Sequence, residues 1–235
     1  MAQLGNRTYD TLFLDRDGII NRLRPGDYVK SWDEFEFLPG ALNALTKCNA
    51  MFRRILVVTN QRGVGKGLMT RQALDEIHRR MLQTIAAHGG RIDKIYCCTG
   101  LSENDPCRKP NIGMALQAQK EFPEIDFASA LMVGDTSSDL LFGRNAGMHT
   151  VLIGEDDPQA DYISLHQFSA SLLYTAQVLK PYKDPSSKSP AAGRSPITKL
   201  PVTIKCNREF CLPGHRHRHE THNTNPLNLK FTPNR

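Results

Sequence analysis

The chain has 235 residues, 40% hydrophobic and 23% charged, which excludes a wholly disordered chain and allows one large domain or a medium domain with an appendage. No run approaches the ~18 apolar residues of a membrane span. The net charge of +6 is uneven: residues 181–235 hold ten Lys/Arg against three Asp/Glu, which leaves residues 1–180 close to neutral.

A neutral body argues against duplex binding, which needs a basic face. Met1 to Asp10 lacks the basic region and apolar run of a secretory signal, so a cytoplasmic setting with reduced thiols is expected. The six cysteines do not read as a disulfide framework, since Cys97 and Cys98 are neighbours and a bond between adjacent cysteines is strained.

In chain order, strands alternate with helices. Thr11–Leu14 is a short apolar run, and a helical stretch with Leu42, Leu45 and Met51 follows Pro39-Gly40. Ile55–Val58 reads as a second strand. Thr70 stands where an N-cap belongs, with Ala73, Leu74, Ile77, Met81, Leu82 and Ile85 behind it at helical spacing and Gly89-Gly90 as the stop. Ile92–Cys98 is a third strand, Ile112–Phe122 a helix closed by Pro123, and Ala130–Val133 a fourth strand. Ser137–Ala146 is a helix stopped by Gly147, Thr150–Ile153 a fifth strand, and Phe168–Leu179 a last helix. Such alternation predicts an α/β fold, a doubly wound parallel sheet covered on both faces. From Pro181 the composition changes, with eight of the fourteen prolines and half of the histidines. Residues 181–235 are expected to form a basic, disordered tail.

In open parallel sheets ligands bind beyond the carboxyl ends of the strands, and four such ends carry polar residues. Asp15-Arg16-Asp17-Gly18 follows the first strand. In extended chain, residues two apart point the same way. Two carboxylates about 4 Å apart repel by roughly 4 kcal/mol at an effective dielectric of about 20, so a converging pair needs a cation or a shared proton; the other reading is a solvated acidic turn. Thr59-Asn60-Gln61 follows the second strand and offers hydroxyl, amide and backbone donors to phosphate oxygens, although Thr-Asn is also ordinary turn chemistry. Arg108 and Lys109 precede the helix from Asn111, where cations oppose the helix dipole unless an anion lies between them. Asp135, four residues before Asp139, ends the fourth strand and suits a hard cation, unless one of the two merely caps the next helix.

Taken together, these stretches resemble the haloacid dehalogenase superfamily of phosphohydrolases. The match is nearest to its branch of D-glycero-D-manno-heptose 1,7-bisphosphate phosphatases and histidinol-phosphatases. It is carried by Phe13 to Asn21, Phe35 to Gly40, Val57 to Gly63, Cys107 to Pro110 and Met132 to Asp135. It covers about residues 9–180 as a phosphatase domain, with the Rossmann-like fold of that superfamily.

The resemblance implies that Asp15 is the nucleophile and Asp17 the acid/base. Mg²⁺ would be held by Asp15, the Asp17 backbone carbonyl and Asp135. It implies that Thr59, Asn60, Gln61 and Lys109 contact the phosphoryl group, that Arg108 reaches a second phosphate, and that Asp139 orients Lys109 or a metal water. The expected activity is removal of the 7-phosphate of heptose 1,7-bisphosphate, in the supply of nucleotide-activated heptose for lipopolysaccharide. Histidinol phosphate and a polynucleotide 3′-phosphate are the alternative substrates, and a non-catalytic binding module is the alternative class. A monomer acting on a small sugar phosphate is expected, with no membrane partner.

Many relatives carry a Cys/His zinc loop; here only Cys98 and Cys107 fall at its positions, and no structural zinc is expected. Thr136 stands where many relatives have lysine. Residues 22–37 are too few for a cap domain and read as a flap, with Arg22, Arg24 and Tyr28 facing substrate and Trp32 and Phe35 anchoring it. His78, His88, His149 and His166 read as surface or packing residues. The Cys206, Cys211, His215, His217, His219 and His222 cluster matches no standard metal finger.

Overall fold

Alternate residues of the central strands pack on opposite sides of one sheet. In this computed structural model, which describes residues 1–174, β3 (Thr11–Leu14), β4 (Arg54–Asn60), β5 (Lys94–Cys98), β6 (Ala130–Gly134) and β7 (His149–Leu152) pair in parallel in the order β5-β4-β3-β6-β7. Leu12, Leu14, Ile55, Val57, Leu131 and Val133 enter one core, while Phe13, Leu56, Val58, Ala130 and Met132 enter the other. Burial on both faces is what continuous apolar runs dictate.

The first core is closed by α1 (Ala41–Met51), α3 (Arg71–Ala87) and α6 (Leu165–Ser171), the second by α4 (Gly113–Glu121) and α5 (Ser137–Ala146). A single turn, α2 (Arg62–Gly65), follows β4. Thr70 caps α3 by accepting from the Ala73 N–H, and Gly147 ends α5 in the left-handed conformation. The chain order reverses between β3 and β6, where a crevice is expected at the carboxyl ends.

Two parts of the sequence reading need correction. The last helix starts at Leu165, where Ser164 accepts from the Gln167 N–H, and ends at Ser171. Leu172 is extended, and β8 (Leu173–Tyr174) pairs with β1 (Ala2–Leu4), whose other edge holds β2 (Arg7–Tyr9). This small antiparallel sheet was not expected; a strand of two or three residues carries too little pattern to read. The remainder of the expected helix, the 181–235 tail and its Cys/His cluster lie outside the described residues.

Among the described residues, the expectation of reduced thiols fails at Cys98 and Cys107. Cys98, at the end of β5, is joined to Cys107, because the intervening loop folds back and brings their Cα atoms to 5.4 Å.

No helix among the described residues is long and apolar enough to cross a membrane.

Candidate active site

The carboxyl ends of β3, β4 and β6 meet at a cavity of about 180 Å³ lined by Asp15, Asp17, Thr59, Asn60, Gln61, Lys109, Asp135 and Asp139, among others. Parallel pairing in register delivers them: Asp15 N–H donates to Val133 O at 3.0 Å, which holds the end of β3 beside that of β6. The chain then turns about Arg16 O, which accepts from the N–H groups of Ile20 and Asn21 at 2.8 and 3.1 Å. Gly18, at φ +85°, brings that turn against Asp135; a Cβ there would lie 2.0 Å from Asp135 Oδ2.

Lys109 is buried among anions. Its Nζ lies 2.8 Å from Asp15 Oδ1 and 2.5 Å from Asp139 Oδ1, and donates to Val58 O at 2.8 Å. Burial works against its charge, but Asp15 and Asp139 outweigh it and hold the ammonium above its ordinary range. Asn60 fixes the backbone of that lysine: its Oδ1 accepts from Lys109 N–H at 3.1 Å and its Nδ2 donates to Lys109 O at 3.2 Å. Asp139 Oδ2 accepts from both the backbone N–H and the hydroxyl of Thr136, so it caps α5 while its other oxygen faces Lys109.

Asp17 is held as an anion. Its Oδ1 accepts from Arg16 Nη2 at 2.8 Å and Asn21 Nδ2 at 2.9 Å, and its Oδ2 from Arg16 Nη2 at 2.9 Å and Gln61 Nε2 at 2.8 Å. Burial pushes its pKa up, but the Arg16 charge and these donors outweigh it and leave the carboxyl below the usual range. Gln61 also donates to Thr59 Oγ1 at 2.9 Å. Gln61 and Asn60 thus hold other site groups with the side chains that the sequence reading assigned to phosphate.

A hard cation fits this site. Asp15, Asp135 and Asp139 place one carboxylate oxygen each within 4.8 Å of one another. Asp135 Oδ1 is buried without a hydrogen-bond donor. Burial first, then the neighbouring carboxylates, push Asp15 and Asp135 each up to about 7, with Lys109 opposing at both. Buried acids that repel one another in this way are relieved by a divalent ion. Both Asp139 oxygens are already committed, to Lys109 and Thr136, which leaves Asp15 and Asp135 as the carboxylates available to such an ion.

Arg108 is not among the residues lining the cavity; its Nε donates to Glu103 Oε2 at 3.0 Å. Of the flap residues, Arg24 and Tyr28 line the cavity, whereas Arg22 pairs with Glu36 at 3.0 Å and faces a wider neighbouring cleft of about 810 Å³ that shares Asp135 and Leu23. Trp32 and Phe35 stack at 5.0 Å, with Phe37 edge-on to Phe35 at 5.0 Å, so the flap is anchored as expected.

Asp105 joins Cys98 and Cys107 in a group whose ligand atoms lie within 4.8 Å of one another. Of the two expectations for His78, surface or packing, the structure bears out packing. His78 is fully buried, with Nε2 3.1 Å from Arg16 Nη1. Its position on the apolar stripe of α3, one residue after Ile77, was the available signal.

A family model described as HAD-hydrolase-like matches residues 106–171. The D-glycero-alpha-D-manno-heptose-1,7-bisphosphate 7-phosphatase of Mycobacterium bovis is 44% identical over 135 residues, 57% of this chain and 71% of that protein. The D-glycero-beta-D-manno-heptose-1,7-bisphosphate 7-phosphatase of Pasteurella multocida is 36% identical over 167 residues, 65% of this chain and 89% of that protein. The crystal structure of D,D-heptose 1,7-bisphosphate phosphatase from B. bronchiseptica, complexed with magnesium and phosphate, superposes with a TM-score of 0.62 at 30% identity, covering 68% of this chain and 96% of that one. With the acidic strand ends and the buried lysine in place, the chain belongs to the heptose-bisphosphate phosphatase family of HAD-like phosphoric monoester hydrolases.

Proposed function

We propose that this chain removes the 7-phosphate of D-glycero-D-manno-heptose 1,7-bisphosphate through an aspartyl-phosphate intermediate, in the supply of nucleotide-activated heptose. The observation that carries the reading is the convergence of Asp15, Asp135 and Lys109 in one cavity at adjacent strand ends.

In this reading an Asp15 carboxylate oxygen attacks phosphorus, and the sugar oxygen leaves with a proton from Asp17. Asp17 then takes a proton from water, whose oxygen attacks phosphorus, freeing phosphate and restoring Asp15. An approaching phosphate dianion adds negative charge beside Asp17 and favours its protonated form. Mg²⁺, held by the carboxylates of Asp15 and Asp135 and the backbone carbonyl of Asp17, would neutralise charge on the transferring group. The Lys109 ammonium and the Thr59 hydroxyl face the same oxygens. Arg108 would exchange the exposed Glu103 for the distal phosphate, and the 810 Å³ cleft beside Asp135 leaves room for the sugar.

The reading includes a monomer, since one chain supplies every group named, and a cytoplasmic setting. It places no structural zinc at Cys98, Asp105 and Cys107, which metal analysis of the purified protein checks directly.

The test is Mg²⁺-dependent phosphate release from both anomers of heptose 1,7-bisphosphate, from histidinol phosphate and from a 3′-phosphorylated oligonucleotide. Heptose bisphosphate should give the highest kcat/KM, and Asp15→Asn should abolish turnover in a folded protein. Preference for another substrate would refute the assignment, and wild-type turnover by Asp15→Asn would refute the mechanism.

A further inference from the structure

Arg16 is the largest side chain in the described residues that is fully buried, and the chemistry above gives it no task. Its Nη2 donates to both oxygens of Asp17, and its Nη1 lies 3.1 Å from His78 Nε2 on α3. Arginine has no acceptor, so His78 must accept through Nε2 and carry its proton on Nδ1. Among the described residues that Nδ1 has no hydrogen-bond partner, and neither has Arg16 Nε. A buried cation beside two unpaired polar atoms is a poor device for stability, since apolar side chains of similar volume would pack there without that cost. What the arrangement does achieve is orientation. Asn21 and Gln61 reach one Asp17 oxygen each, whereas Arg16 reaches both, and Arg16 is itself held at its other nitrogen by a helix of the core.

We propose that Arg16, seated by His78, is the positioning residue that sets the Asp17 carboxyl group in the orientation from which it exchanges a proton with the leaving oxygen. The inference rests on the acid/base assignment of Asp17 made above. It makes α3, which lends no side chain to the cavity lining, a support of proton transfer.

The consequence is selective. An alkyl leaving oxygen, as in a sugar phosphate, must be protonated as it departs, whereas p-nitrophenolate leaves as an anion. Removing the support should therefore slow phosphoryl transfer from sugar phosphates and spare transfer from the aryl ester.

The experiment compares kcat and KM of the full chain on a sugar phosphate and on p-nitrophenyl phosphate, with Mg²⁺ present. His78→Leu and Arg16→Met should each lower kcat/KM, which ends at departure of the leaving group, by about tenfold or more on the sugar phosphate and by less than about twofold on the aryl phosphate; the shared hydrolysis of the aspartyl-phosphate, in which Asp17 is the base, enters kcat alone. His78→Gln, whose amide oxygen replaces Nε2 as acceptor, should retain the wild-type ratio. Aryl phosphate turnover reports that the site is folded; an Arg16 variant that fails to fold leaves the two His78 variants to decide. Equal losses of kcat/KM on both substrates, no loss on either, or a His78→Gln as selective in its defect as His78→Leu would overturn the inference. Asp17→Asn separates the two levels. If it processes the sugar phosphate normally, the acid/base assignment fails; if it does not, and the Arg16 and His78 variants show no selectivity, only the positioning role fails.

Discussion

Lys109 Nζ sits 2.8 Å from Asp15 Oδ1, with both side chains buried. The same ammonium serves Asp139 at 2.5 Å, so one cation balances two acids. Lys109→Met should cost about 3–5 kcal/mol of stability, because it leaves uncompensated buried charge, and should abolish turnover. Urea unfolding of the two proteins checks the first statement. A loss below about 1 kcal/mol would show that the ammonium does not carry that charge balance.

Asp15 and Asp135 give the metal-free protein a defined pH response. Burial and mutual repulsion raise each to about 7, against the ordinary carboxylate value of 3.8. Between those values the folded protein holds protons that the unfolded chain has released. The stability they contribute is full below the unfolded value and lost as pH rises through about 7. A bound dication takes over as the protons leave. Magnesium should therefore raise Tm more at about pH 7.5 than at about pH 5.5, by thermal melts with and without the ion. An equal or larger shift at the acidic pH would contradict the shared origin of these two effects.

Gly18 is required for two separate reasons, its φ of +85° and the approach of Asp135 to the place of a Cβ. Gly26 shares the first, at φ +74°, with nothing within 4 Å of a Cβ. Both alanine variants should lose about 1–3 kcal/mol from the strained backbone. Only Gly18→Ala should also weaken magnesium, seen as a higher concentration for half-activation. Equal magnesium dependence in the two variants would show that Asp135 moves aside freely.

Arg108 pairs with a Glu103 side chain that is 68% exposed, so the pair is easily exchanged for another anion. Arg108→Ala should raise KM for the bisphosphate by about tenfold or more, as expected for a lost charge-assisted bond, and barely change it for a monophosphate. Steady-state kinetics on the two substrates decides. A uniform change would place Arg108 at the transferring group.

The central sheet was legible because each strand is a short apolar run with a polar end, and the candidate site was legible because its acids follow strand ends and its lysine precedes the helix after β5. Thr70 and Gly147 marked helix ends through cap chemistry that depends on near neighbours alone. Pairing between Ala2–Gln3 and Leu173–Tyr174 was not legible, since residues 170 and 172 apart in sequence carry no local sign of meeting. The same holds for Arg16 and His78, 62 residues apart. Arg16 stood in view between two aspartates, and spacing says nothing about where a long side chain is buried. The resemblance gave Asn60 and Gln61 as phosphate ligands; the bonds of their amides to Lys109, and to Asp17 and Thr59, have no sign in the sequence.

The flap that walls the cavity is fastened by three aromatic rings and by surface ion pairs, outside the sheet that carries the acids. The groups that act on phosphorus and one wall of the space beside it therefore occupy separate stretches of the gene. Residues 22–37 can drift, and the enzyme can acquire a taste for a different alcohol, while its reaction stays the same.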